Sequence, residues 1–322
     1  MQATKPLLAG LALAWACLGA GAQTYPSHPI RLVVGFAPGG AADVVARAMS
    51  DAMGKSLGQT VVVENKPGAG SSLAAEFTAK APPDGYTVLL ASPSSISVNP
   101  ALSPKLGYKF SELQPVIKVT TSPLVIAVHP GSGIKSVKDL VAAAKKAPGS
   151  INYATSGNGS APHLGAALFS QVAGVELFHV PFKGGALAVQ SVVAGDTQVT
   201  FATPPSVLGL VQGGRLRGLA VSSHERSPLV PELPGMAEAG LPAYAIEFWY
   251  GLFVPANTPA AVTRKIFDAA TAAMRQPAVK QALARDGTDV ALSPSPEHFA
   301  TFLAADNKFW AKLVKDADVT KD

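Results

Sequence analysis

The sequence predicts an α/β protein of two domains with a cleft between them. Three observations predict it. Strand-like and helix-like segments alternate from residue 30 onward, the pattern of parallel βαβ units. The rhythm breaks once, at Gln114–His129, where two extended runs flank Thr120-Thr121-Ser122-Pro123 and a second α/β stretch then begins. After a proline-rich loop, Phe248-Trp249-Tyr250-Gly251-Leu252-Phe253-Val254 reads as a strand returning to the first unit. The expected division is residues 23–122 with 250–322 in one domain and 123–249 in the other.

Residues 1–22 are expected to be removed before folding. Lys5 gives a positive start, Leu7 to Gly19 an apolar run too short to span a bilayer, and Ala20-Gly21-Ala22 a small-residue cleavage site. This reads as a secretory signal peptide cleaved after Ala22. The rival reading, a lipoprotein signal modified at Cys17, sits poorly with Ala14 and Trp15 before the cysteine. Cleavage removes Cys17, the only cysteine of the chain. Export without thiols fits a bacterial periplasm better than a disulfide-stapled secreted module. Loss of Lys5 lowers the formal charge from +5 to +4. Lysines and arginines are scattered, so no nucleic-acid partner is expected, although a weakly positive surface helps attract anions. Charged residues make up 15% of the chain and hydrophobic ones 48%, which argues for well-buried elements.

In order, Ile30–Phe36 reads as a buried strand and Val44–Leu57 as a helix, with Val45, Met49, Ala52 and Met53 on one face and Asp43 set to pair with Arg47. Val61–Glu64 is a strand, Leu73–Lys80 a helix and Tyr86–Ala91 a strand after the turn Pro83-Asp84-Gly85. Ser136–Ala147 is a helix with Ser136 as N-cap, ended by Pro148-Gly149. Strands follow at Ile151–Ser156, Glu176–Phe182, Thr197–Thr203 and Leu216–Ser223, with helices near 162–173, 185–194 and 205–212 between them. The C-terminal part is helical over Pro259–Arg275, Pro277–Arg285 and Pro296–Ala317.

Two loops carry the chemistry. Phe36-Ala37-Pro38-Gly39-Gly40-Ala41 joins a strand to a helix start, where unpaired N–H groups and the helix dipole favour an anion. Gly39 and Gly40 let a ligand approach the backbone, and Phe36 offers an apolar wall. Asp43 reads better as a dipole or capping residue than as a ligand contact. Ser156-Gly157-Asn158-Gly159-Ser160-Ala161-Pro162-His163 repeats the design in the second unit, with Ser160 as N-cap. For either loop the plain alternative is a tight turn without a ligand. Other strand ends reach the same region: Ser92, Ser94 and Ser95, then Phe182 and Lys183, then Thr203. Lys183 could pair with a carboxylate or be merely solvated, Phe182 could stack or pack, and Thr203 could mark a plain turn. Trp249 lies near the presumed crossing but is more often core.

Enzyme readings fare worse. There is no G-x-S-x-G elbow, no P-loop, no complete G-x-G-x-x-G after a strand and no H-E-x-x-H among the six histidines. No metal and no cofactor is expected. A serine hydrolase using Ser160 with His163 stays open, because a triad draws on distant residues.

The chain also contains Tyr25-Pro26 with Pro29-Ile30-Arg31, Phe36-Ala37-Pro38-Gly39-Gly40 with Asp43, Gly58-Gln59, and Val61-Val62-Val63-Glu64-Asn65-Lys66-Pro67-Gly68-Ala69-Gly70. Asp84-Gly85-Tyr86-Thr87, His179-Val180-Pro181-Phe182-Lys183-Gly184, Leu216 to Val221, Ala237-Glu238-Ala239-Gly240 and Trp249-Tyr250-Gly251-Leu252 follow. With these motifs it resembles the solute-binding proteins of tripartite tricarboxylate transporters, often called the Bug family. The resemblance implies a two-domain periplasmic binding protein of the Venus-flytrap type, a monomer, that captures a small organic carboxylate and delivers it to membrane permease subunits. It implies that Phe36, Gly39, Gly40 and Ala41 hold the carboxylate from one side and Ser156, Gly159, Ser160 and His163 from the other. A sensor subunit for a membrane receptor kinase would use the same cleft. The family usually has tyrosine at the position of Phe182 and an acid near Gln198, so a ligand with an apolar or aromatic body is expected here.

Overall fold

The computed structural model describes residues 25–102, 105–285 and 287–316. The expected leader and its cleavage site lie outside them. Among the described residues no helix is long and apolar enough to cross a membrane.

The chain opens with β1 (Ile30–Val34), α1 (Ala41–Leu57), β2 (Val61–Asn65), α2 (Ser72–Ala79) and β3 (Thr87–Ala91). A π-turn over Ser94–Val98 and the short α3 (Asn99–Leu102) lead to β4 (Leu113–Pro123). Next come β5 (Val125–Val128), α4 (Val137–Lys146), β6 (Asn152–Thr155), α5 (Ala161–Ala173), β7 (Phe178–Pro181), α6 (Gly185–Ala194), β8 (Val199–Ala202), α7 (Pro204–Gln212) and β9 (Arg217–Val221). The chain ends with β10 (Glu247–Pro255), α8 (Ala260–Arg275), α9 (Pro277–Arg285), β11 (Asp289–Val290) and α10 (Pro296–Asp316).

Two sheets result. The first has the order β11-β4-β10-β3-β1-β2 and the second β7-β6-β8-β5-β9. In the first, β1 is parallel to both β2 and β3, and β10 is antiparallel to β3 and β4. In the second, β6 is parallel to both β7 and β8, and β5 is antiparallel to β8 and β9. The sheets share one plan: a parallel trio whose central strand comes first in sequence, then an antiparallel strand, then one more, with β11 added at the edge of the first sheet. The carboxyl end of β1 therefore corresponds to that of β6, β2 to β7 and β3 to β8.

Both faces of each sheet are covered, which is why β3, β5 and β8 are buried along their whole length. In β3, Leu90 packs with Met49, Ile266 and Met274 of α1 and α8, while Leu89 faces Phe299 and Leu303 of α10. In the second sheet Ile126 and Phe201 pack with Leu140 and Phe169, and Val125 with Val192 and Val207 on the other face. Helix α10 belongs to both halves: Phe299 and Leu303 sit on the first sheet, while Trp310 and Leu313 join the core of the second.

The chain crosses between the sheets at Leu124 and again along residues 222–246. Ser222, fully buried, laces the two crossings. Its Oγ accepts the Leu124 amide at 2.7 Å and donates to the Ile246 carbonyl at 2.6 Å, while backbone bonds join Ser222 to both residues.

Local expectations hold where short-range chemistry decides. Ser136 Oγ accepts the Asp139 amide at 3.1 Å as the cap of α4. Helix α1 begins at Ala41, three residues before Val44, because Gly40 is extended and Ala41 and Ala42 are already helical. Trp249 does not reach the cleft; it packs edge-on against Phe299 and Phe302.

Candidate ligand-binding site

The loops at the carboxyl ends of β1, β3, β6, β7 and β8 converge between the sheets on an inner chamber of about 200 Å³. This is where an open α/β sheet places its ligands. Phe36, Gly40, Ala41 and Ala42 line it from the first loop, Ser92 from the end of β3, Ser156 from the end of β6, and Ala161 and Pro162 from the start of α5. Lys183, Gly185, Ala186 and Leu187 come from the start of α6, Thr203 and Ser206 from the start of α7, and Tyr250 from β10.

Helices α1, α5 and α6 therefore point their N-termini at one space, and none has a side-chain cap. The first N–H groups of a helix have no partner inside it, and the dipole leaves its N-terminus positive. In α1 the amide of Gly40 bonds the Ala37 carbonyl at 3.4 Å, which leaves those of Ala41 and Ala42 at the chamber. Among the described residues no acidic side chain lines the chamber, and Lys183 is the charged residue that does. Ser92 is buried, with a hydroxyl that has no hydrogen-bond partner. The arrangement offers donors and positive potential without a competing anion, which suits a carboxylate.

An outer chamber of about 750 Å³ adjoins the inner one. Phe36, Ala37, Ser156, Lys183 and Leu187 line both. The outer space is completed by residues 67–71, Asn99, Leu102, Asn158 and Phe182. The halves approach closely around these chambers. A Cβ on Gly184, whose φ is +139°, would lie 3.4 Å from that of Ala37, and one on Gly159 would lie 2.3 Å from Oδ1 of Asn99.

Of the residues expected from the sequence, Phe36, Gly40, Ala41, Ser92, Ser156, Lys183 and Thr203 line the inner chamber, and Asn158 and Phe182 the outer. Gly39, Ser94, Ser95, Gly159, Ser160 and His163 line neither. The Gly39 amide, expected to face a ligand, donates instead to Asp43 Oδ2 at 3.0 Å. Asp43 also accepts from Arg47 Nε at 2.8 Å and from Asn65 Nδ2 at 3.0 Å. Burial pushes its carboxyl up, but the hydrogen bonds from Arg47, Gly39 and Asn65 and the charge of Arg47 outweigh that and hold it below the usual range. Asp43 is thus the structural residue the sequence favoured, fastening the loop to α1 and β2. Ser94 and Ser95 are fully buried inside the π-turn.

Ser160 holds the N-cap position of α5 but makes no cap hydrogen bond. Pro162, one of the residues its hydroxyl would reach, has no N–H to give. His163 Nδ1 accepts the Gly159 amide at 3.1 Å, and its ring stacks on His179 with centroids 4.0 Å apart. Ser160 Oγ has no hydrogen-bond partner, so the serine–histidine pair of a hydrolase is not formed. Gln198 also has a structural task, accepting the Asn152 amide at 2.9 Å.

Sequence reasoning missed Leu187, Ser206 and Tyr250, and the loop over 67–71 as a chamber wall. Tyr250 had a signal. Neighbours on a strand face opposite sides, so with Trp249 in the core Tyr250 turns the other way. The others sit one turn into a helix or on a loop whose placement is tertiary.

Two α/β halves on one plan, crossed twice by the chain and enclosing a chamber at their strand ends, define a two-domain binding protein of the periplasmic type. A family model described as "Tripartite tricarboxylate transporter family receptor" matches residues 45–319. The chain belongs to this family, whose members are receptors for solutes rather than enzymes. It is 36% identical over 315 residues to the "UPF0065 protein in tcbD-tcbE intergenic region" of Pseudomonas sp. strain P51, covering 96% of this chain and 93% of the relative. It is 35% identical over 297 residues to protein BugT of Bordetella pertussis, covering 92% and 91%. Among solved structures, R. palustris Rpa4515 with adipate superposes with a TM-score of 0.87 at 30% identity, over 92% of this chain and 99% of that one. MatC (Rpa3494) from Rhodopseudomonas palustris with bound malate gives 0.85 at 30% identity, over 90% and 100%.

Proposed function

We propose that this protein captures a small organic carboxylate in the periplasm and hands it to the membrane permease of a tripartite tricarboxylate transporter. The observation that carries the reading is the inner chamber: three uncapped helix N-termini, the unpartnered Ser92 hydroxyl and Lys183 meet there, with no acidic side chain among the described residues. The relatives with bound adipate and malate support a carboxylate as cargo.

Magnitudes say what else must contribute. One helix end favours an anion by about 0.3–1 kcal/mol, rising to about 2 when partly buried. Micromolar affinity needs about 8 kcal/mol. Three ends at the upper figure leave a remainder that desolvation and apolar contact with Phe36, Leu187 and Tyr250 have to supply. That calls for closure, with residues 23–122 and 250–322 moving against 123–249 about the Ser222 crossing. Residues 1–22 direct export, and the receptor works as a monomer.

Native mass spectrometry of freshly purified protein, then thermal shifts with mono-, di- and tricarboxylates, tests the reading. A ligand raises Tm in a concentration-dependent way. A flat response to every acid, or steady turnover of an activated ester, would overturn it.

A further inference from the structure

We propose that the outer chamber is a second subsite for the same ligand and selects an aromatic acid carrying a ring hydroxyl. This rests on the carboxylate reading above and goes beyond it by naming what the far end of the molecule is.

The two chambers share Phe36, Ser156 and Leu187, so a molecule anchored by its carboxylate at the helix N-termini extends naturally into the outer space. There Phe36 and Phe182 offer ring faces, and Leu102 an aliphatic wall. Lys183 is the cationic side chain among the lining residues, and it already stands at the shared wall. Nothing else in the outer chamber neutralises a second carboxylate.

The polar atoms point the same way. Ser71 is 1% exposed, lines the outer chamber, and its hydroxyl has no hydrogen-bond partner. Asn158 also lines the chamber, and its Oδ1, likewise without a partner, is an acceptor. Such a pair asks the ligand for a donor. A second carboxylate has none, whereas a hydroxyl donates to one partner and accepts from the other.

The backbone is built to hold Ser71 there. Ala69, Gly70 and Ser71 have φ of 47°, 58° and 74°, three left-handed residues in a row, two of them not glycine. Asn99 Nδ2 fixes this turn by donating to the carbonyls of Ala69 and Gly70 at 3.1 and 2.9 Å. Strain of this kind persists where the surrounding structure imposes it, and here it fixes Ser71 in the wall of the outer chamber.

The test is calorimetric titration of the mature protein with propanoate, 3-phenylpropanoate, 3-(4-hydroxyphenyl)propanoate and 3-(4-carboxyphenyl)propanoate. The ring is expected to tighten binding about tenfold or more over propanoate, and the hydroxyl by about a further fivefold. The second carboxylate is expected to weaken it relative to the bare ring. Ser71→Ala removes the increment of the hydroxyl and keeps that of the ring, and Ser71→Gly, which suits the left-handed backbone, repeats the result if the alanine variant folds poorly. A ring that adds nothing, or a hydroxyl increment that survives both variants, overturns the proposal while acid capture stands. If no acid binds at any concentration, it is the carboxylate reading that fails, and this one with it.

Discussion

The amide of Gly159 donates to Nδ1 of His163 four residues further on, at 3.1 Å. The bond puts the imidazole proton on Nε2 and the lone pair on the amide. Burial, reinforced by the neighbouring His179, pushes the pKa of His163 down from 6.5 to about 3. The folded protein therefore keeps the ring neutral while the unfolded chain titrates near its ordinary value. The stability this contributes is complete above pH 6.5 and is lost as pH falls from there toward 3. Between pH 6 and pH 5 the loss is about 1 kcal/mol. His163→Asn, whose amide oxygen accepts from Gly159 without titrating, is expected to flatten that slope in urea unfolding; an unchanged slope would place the proton uptake elsewhere.

Removing Asp43 should loosen the first loop. Asp43→Ala strips the Gly39 amide, Asn65 Nδ2 and Arg47 Nε of one shared acceptor. Loss of such a network costs about 2–3 kcal/mol. Because the carboxyl is held below its usual range, its contribution is present above pH 4 and fades as pH drops further. Denaturant midpoints at pH 7 and pH 3 measure both effects; equal losses in the variant at the two pH values would contradict the assignment.

Ser92→Ala separates binding from folding. The hydroxyl is buried without a partner, so deleting it should leave Tm unchanged or slightly raised. Carboxylate affinity should fall about tenfold, the weight of one hydrogen bond to a charged group. Titration calorimetry on both proteins decides, and a variant that binds as tightly as the parent removes Ser92 from the site.

Gly184→Val should hold the halves apart. The position has φ +139°, and an added Cβ already meets Ala37 at 3.4 Å. Affinity is expected to drop by about tenfold or more, with a larger radius of gyration in small-angle scattering at saturating acid. A variant that compacts on ligand addition as the parent does would show that this contact is not part of closure.

Much of this molecule is legible in its sequence because much of it is decided locally. Periodicity finds the strands and helices, and the 43/47 spacing finds the ion pair of Asp43 and Arg47. What escapes is set by tertiary partners. Strand β11, two residues long, exists because Thr120 and Thr121 pair with it. The segment after β3 reads as a loop, yet Ser94–Val98 winds into a π-turn that swallows Ser94 and Ser95 and leaves only Ser92 at the chamber. The glycine loops announce an anion site, but which of their amides stay free depends on Asp43 and His163, whose side chains claim the amides of Gly39 and Gly159.

Helix α10 has a mechanical consequence. Its Phe299 is sunk in the core of one half, and its Trp310 in the core of the other. A gap between the halves can widen only by dragging one of these aromatic anchors out of its seat and into water. The helix is thus a tether that limits how far the jaws can gape.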